Sequence, residues 1–152
     1  MIDLKQASVR KQEAFAELIC NDMDPDEVTR RLGISPDASH RKGDLTPQGT
    51  AWKLDHWELT EQETGIPPEE DYAEAVERCL DRLLQRIARE DILQKLAEIS
   101  AQASLSVGVY GNCRETPKLY YSPETIRILA RIGASLDEDF YPVYTGEDDE
   151  EE

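Results

Sequence analysis

His40 and His56 are the only two histidines in the chain, and imidazole is the side chain best suited to proton transfer near neutrality. Neither stands in a spacing that brings it to a serine or cysteine nucleophile. No Gly-x-Ser-x-Gly elbow, phosphate-binding loop or dinucleotide-binding glycine pattern accompanies them. With Cys113 they supply residue types that zinc accepts, but the long separations match no ligand spacing. The expectation is therefore no catalytic residue, no metal and no cofactor. The densest polar cluster is His40-Arg41-Lys42-Gly43-Asp44, and two readings of it stand. His40, Arg41, Lys42 and Asp44 form a polar site, or the segment is a turn in which Gly43 takes positive φ and Asp44 bonds nearby backbone.

Charge is the stronger signal. Against 17 basic residues stand 33 acidic ones, a net charge of −16 over 152 residues. The final run from Glu147 to Glu152 contributes six of those acids, which leaves −10 on the body. Such a field repels phosphate backbones and anionic membranes, so neither nucleic acid nor membrane is an expected partner. A basic protein is the natural complement; plain solubility is the other reading. Candidate contact residues are the acids of the helical stretch and its preceding connector: Glu61, Glu63, Glu69, Glu70, Asp71, Glu74 and Asp81. Trp52 and Trp57 are either an aromatic contact patch or core. Tyr110, Tyr120, Tyr121, Tyr141 and Tyr144 gather in the C-terminal third, where a sheet face would expose some of them.

The three cysteines are odd in number and form no CxxC pair. Cys20 and Cys79 sit within apolar patterns and read as small core residues. Reduced thiols and a cytoplasmic location are expected. The first residues lack the apolar run of a signal peptide, and no stretch is long enough to span a bilayer.

The elements that must position these residues follow from periodicity and capping. Glu13 to Cys20 reads as a central strand, with apolar residues on both faces and at least partial cover on each. Asp24-Pro25-Asp26-Glu27 opens a helix, with Asp24 as N-cap, Pro25 first and Glu27 reaching back in a capping box. Val28 and Leu32 share one face, and Gly33 ends the helix. Residues 35–50 read as loop with at most a short strand, Thr50 to Leu59 as a strand, and Glu61 to Pro68 as a connector. From Glu69 to Ser100 two apolar stripes lie on opposite sides: Tyr72, Val76, Cys79, Leu80, Leu83 and Ile87, then Ile92, Leu93, Leu96 and Ile99. A straight helix cannot bury both on one sheet, so a break is predicted at Arg89-Glu90-Asp91, with an acid capping the second helix. Leu105, Val107 and Val109 alternate as a half-buried antiparallel strand, and Lys118 to Tyr121 reads as its returning partner. Ser122-Pro123 starts a helix that buries Ile126, Leu129 and Ala130 and ends at Gly133. Ala134 to Tyr144 reads as a final edge strand containing Pro142.

These elements predict a single α+β domain, a largely antiparallel sheet packed with about four helices on one or both faces. Residues 1–12 are a polar lead-in, 13–146 the domain and 147–152 a disordered acidic tail.

Several of these segments, taken in order, resemble a known family. They are Asp24-Pro25-Asp26-Glu27-Val28-Thr29 to Leu32-Gly33-Ile34, then Arg41-Lys42-Gly43-Asp44, Trp57-Glu58-Leu59, and Ile132-Gly133-Ala134-Ser135-Leu136-Asp137 to Asp139 and Tyr141. Together, over about residues 13 to 144, they resemble the bacterial proteins grouped as domain of unknown function 4279. The resemblance implies a small bacterial cytosolic α+β domain and supplies no catalytic residues. Size and acidity are also similar to those of immunity proteins, which neutralise a toxin by binding it. The expected function is a non-catalytic binding protein, an immunity protein or inhibitor capping a basic toxin domain. The alternative is an interaction or scaffold module whose acidity serves solubility.

Overall fold

A computed structural model describes residues 13–67, 70–111 and 117–141. The expected lead-in, Glu69, Cys113, Pro142, Tyr144 and the acidic tail lie outside the described residues. The chain runs β1 (Glu13–Asn21), α1 (Pro25–Leu32), β2 (Ala38–His40), β3 (His56–Thr64), α2 (Tyr72–Ile87), α3 (Glu90–Glu98), a 3-10 turn (Ser100–Gln102), β4 (Ala103–Tyr110), α4 (Pro123–Ile132) and β5 (Ser135–Tyr141). The strands form one sheet in the order β2-β3-β1-β4-β5. Every neighbouring pair is antiparallel except β4 and β5, which are parallel. The α+β class and the largely antiparallel sheet are as the sequence predicts.

β1 is the central strand, and its period-two alternation builds the core. Ala14, Ala16, Leu18 and Cys20 are fully buried. The register sets them beside Leu59 and Trp57 on β3 and beside Val109, Val107, Leu105 and Ala103 on β4. The two alanines leave room for α2, which lays Val76, Cys79, Leu83 and Ile87 over β1 and its neighbours. Trp57 is fully buried, and its indole N–H donates to Thr29 Oγ1 at 3.0 Å, which ties α1 to the sheet.

The predicted caps of α1 hold at both ends. The Asp24 carboxylate accepts from the Asp26 N–H at 2.9 Å, and Gly33 (φ 70°) donates its N–H to Thr29 O. Glu27 does not reach back to close a capping box; Arg30 and Arg31 hold it at 2.9 and 3.0 Å. The predicted break separates α2 from α3, but the N-cap there is Arg89, with no side-chain cap bond. Glu90 and Asp91 occupy the first turn instead, where the helix dipole favours them. In α4, Thr125 and Ile132 are buried while Ile126 is 54% exposed and Ala130 faces outward. The buried stripe is displaced because α4 packs on α3 and α2 rather than on the sheet.

Two strand expectations are corrected. The strand predicted for 50–59 begins at His56 and runs on to Thr64, so half of the expected connector belongs to β3. Its helix-facing positions there are Glu61 and Glu63, which ion pairs satisfy, so apolar alternation does not reveal it. Lys118 to Tyr121 forms no strand, because β1 and β5 already take both edges of β4. The segment lies along the helix layer, where the Tyr120 N–H donates to Glu77 and the Tyr121 hydroxyl to Glu138 Oε1 at 2.6 Å.

The described helices cover one face of the sheet, and on the other Phe15 is only 4% exposed, so β1 has the partial cover expected there. On the other face Phe15 lies over Gly108 of β4. A Cβ at Gly108 would stand 1.7 Å from the Asp139 carbonyl oxygen and 2.9 Å from Phe15 Cζ. Backbone here approaches more closely than any side chain permits. Gly108→Ala is expected to lower stability by at least about 1–3 kcal/mol, the usual cost of overpacking. Urea denaturation measures it, and an unchanged midpoint would show that β5 is not fixed against β4 at this point.

Candidate functional site

Period-two alternation places Glu13, Phe15, Glu17, Ile19 and Asn21 of β1 on the helix-free face. The register puts Thr60 and Ser106 on either side of Glu17, and Glu58 and Ser104 on either side of Ile19. Asp139 of β5 joins them, its Oδ2 accepting from the Ser106 hydroxyl at 2.7 Å. Glu58 is likewise held, with Thr60 Oγ1 donating at 3.0 Å and His56 Nε2 lying 3.5 Å away. Three carboxylates, Glu58, Glu17 and Asp139, thus line up across the sheet with Glu17 in the middle.

Their electrostatics differ by position. The hydrogen bond from His56 holds the Glu58 carboxyl below the usual carboxylate range. Glu17 is pushed up, first by burial and then by Glu58, with Asp139 and Glu13 adding to it and His56 opposing. Burial also raises Glu13. Among the described residues no lysine or arginine pairs with Glu13, Glu17 or Asp139.

Aromatic rings stand at two corners of this face. At one, His40 stacks between Trp52 (centroids 3.8 Å apart) and His56 (4.8 Å), and His56 Nδ1 lies 2.8 Å from Asn21 Oδ1. Partial burial and the neighbouring His56 lower the His40 pKa. At the other, Tyr110 stacks on Tyr141 at 4.8 Å and meets Phe15 at 5.3 Å.

The residues singled out from sequence are dispersed. Of the polar cluster, only His40 reaches the open face. The Arg41 N–H donates to Asp44 Oδ2 at 2.8 Å, the Lys42 N–H donates to Asp55 Oδ1 at 2.8 Å, and Gly43 has φ 94°, so the turn reading describes this segment. The Arg41 guanidinium pairs with Asp24 and Asp26. Of the candidate contact acids, Glu61, Glu63 and Glu70 are engaged by arginines of α2. Arg78 grips Glu63 at 2.8 and 3.0 Å and Glu70 at 2.8 Å, while Arg82 meets Glu63 at 3.1 Å and Glu61 at 3.4 Å. Arg86 makes a bidentate pair with Asp37 at 2.7 and 3.1 Å and holds that carboxyl below its ordinary pKa. Asp71 caps α2 by accepting from the Ala73 N–H. Glu74 and Asp81 are exposed on the same helix, in the layer opposite the open face. Asp81 lines a groove of about 330 Å³ between α2 and α4, with Leu84, Ser122, Glu124 and Ile128.

Sequence reasoning missed Glu17, Glu58 and Asp139. Their available signal was position: an acid alternating with apolar residues inside a strand must lie on the face away from the core. Among the described residues no three His, Cys, Asp or Glu side chains are arranged to hold a metal ion. Cys20 and Cys79 are free, and burial pushes their thiols up to about 12 and about 11, far from nucleophilic readiness. No described helix is long and apolar enough to cross a membrane.

The model of a family described as a domain of unknown function (DUF4279) matches residues 13–143, a stretch that starts with β1 and includes β5. The chain belongs to the DUF4279 family. No curated protein and no solved structure matched significantly in the corresponding comparisons.

Glu17 gives this DUF4279 domain a measurable pH signature. In the unfolded chain it ionises near the ordinary value of 4.5, and in the fold its pKa is higher. Its contribution to stability is fully present below 4.5 and is lost as pH rises through the folded value. Glu17→Gln is therefore expected to be more stable than wild type at neutral pH, with the gap closing in acid. Urea midpoints across that range check this. A variant no more stable than wild type at neutrality would contradict the unfavourable setting of Glu17.

Proposed function

We propose that this domain is a non-catalytic protein-binding module that receives a basic protein on its open sheet face, as an immunity protein caps a basic toxin domain. The observation that carries this reading is the unequal compensation of charge. Arginines of α2 neutralise the acids between sheet and helices, whereas Glu13, Glu17 and Asp139 on the open face meet no lysine or arginine among the described residues. A net charge of −16 deepens the field around that face. Opposite charge steers a basic partner and penalises wrong ones.

Solubility alone needs acids only at the periphery. It gives no reason to place a half-buried carboxylate at the middle of a sheet, where it costs the folded state. A cationic partner offsets that cost. The same field disfavours nucleic acids and anionic membranes. Buried, unpaired Cys20 and Cys79 accord with a reducing bacterial cytoplasm.

The test compares the tagged wild-type domain with a Glu17→Lys/Asp139→Lys variant in affinity capture from lysate of the source cells, with circular dichroism verifying that the variant folds. The wild type is expected to retain one basic protein, to release it as salt rises, and the variant to lose it. That protein, expressed alone, should arrest growth, and co-expression of the domain should restore it. Capture indifferent to both salt and charge reversal would sink the electrostatic reading, and a harmless captured protein would sink the immunity reading.

A further inference from the structure

Resting on that reading, we infer that the open sheet face is a docking surface for an arginine-bearing segment, which seats guanidinium groups on Glu58, Glu17 and Asp139 and stacks them on Trp52, Tyr110 and Tyr141. Two kinds of group on a face that no described helix covers carry the inference. The first is the row of carboxylates. Among the described residues Glu17 receives no hydrogen bond, and Asp139 has a donor on Oδ2 but none on Oδ1. Ser106, Thr60 and His56 hold the two outer carboxylates in place, so little side-chain freedom remains to be lost on binding.

The second is the pair of aromatic corners. Trp52 is 39%, Tyr110 37% and Tyr141 46% exposed, and each is already stacked on one side and held in orientation. A planar guanidinium both stacks on such rings and pairs with a carboxylate through two parallel donors; a lysine ammonium is a hydrated point charge that does neither as well. Carboxylates with no rings nearby would discriminate less between the two cations.

The row crosses diagonally from β3 to β5, about 15 Å across four strands at about 4.8 Å per strand and, from the level of Ile19 to that of Phe15, about 13 Å along them, so roughly 20 Å in all. A lone small cation meets one carboxylate of such a row, whereas a segment with several arginines meets all of them. A second copy of this acidic chain is repelled.

Octa-arginine and octa-lysine, equal in charge, are suitable probes for the whole chain, followed by titration calorimetry and backbone amide shift mapping. Octa-arginine is expected to bind about tenfold tighter than octa-lysine, the difference made by stacking and bidentate pairing. Its shifts should fall on β1, β3, β4 and β5. Glu17→Gln/Asp139→Asn should weaken it about tenfold, while Trp52→Ala should narrow the arginine–lysine difference and leave octa-lysine unchanged. Equal affinities overturn the arginine preference. Salt-sensitive shifts confined to the groove of Asp81 and Glu124 overturn this face, while the basic-partner reading stands on another surface. If neither peptide binds at low salt, the inference and that reading fall together.

Discussion

Arg78, Arg82 and Arg86 form one row along α2, and the sheet's acid-rich side depends on them. Glu61 and Glu63 occupy helix-facing positions of β3, where an apolar residue would ordinarily sit. Left alone, two carboxylates on one strand, with Asp37 nearby, would repel each other and resist burial. Four-residue spacing on the helix delivers a guanidinium to each level of the strand. Isolated exposed pairs of this kind contribute at most about 1 kcal/mol. Here they are linked, since Glu63 is shared by Arg78 and Arg82, and Glu61 by Arg82 and Arg86. The arrangement fixes how α2 lies on the sheet and thereby which face the described helices leave uncovered.

Cations are scarce in this chain, 17 against 33 acids. Those committed to the interior of the two layers are not available elsewhere. The carboxylates of the bare face are therefore left to one another, to serine and threonine hydroxyls and to a histidine. β1 joins the two situations in a single strand. Its even positions, Ala14 to Cys20, make the core; its odd positions put Glu17 among other acids. A substitution at Ala16 or Leu18 tests packing, and one at Glu17 between them tests charge.

Much of the scaffold is legible from local chemistry. Asp24-Pro25 and Gly33, or Ser122-Pro123 and Gly133, bound their helices because capping is settled within a few residues. The two stripes on either side of Arg89 force a break for a purely geometric reason. Long-range compensation hides the rest. Glu61 and Glu63 look like connector until Arg82, some twenty residues on, is known to meet them. Lys118 to Tyr121 has the pattern of a strand but no vacant edge to join, and Ile126 points outward because its neighbour is a helix. The grouping of Glu17 with Glu58 and Asp139 is hidden for a similar reason: alternation places Glu17 away from the core, but only the register of four strands brings the three carboxylates together.

The place of β1 in the sheet also bears on how the chain is made. It leaves the ribosome before its hydrogen-bonding partners, β3 and then β4, which begins at Ala103. At about 5–20 residues per second, the first strand waits several seconds or more for its second neighbour. During that interval Ala14 to Cys20 offers an apolar strand edge to any nascent chain that passes. Glu13 and Glu17, flanking and interrupting that run, give it the like-charge repulsion by which gatekeeper residues keep unfinished sheets apart.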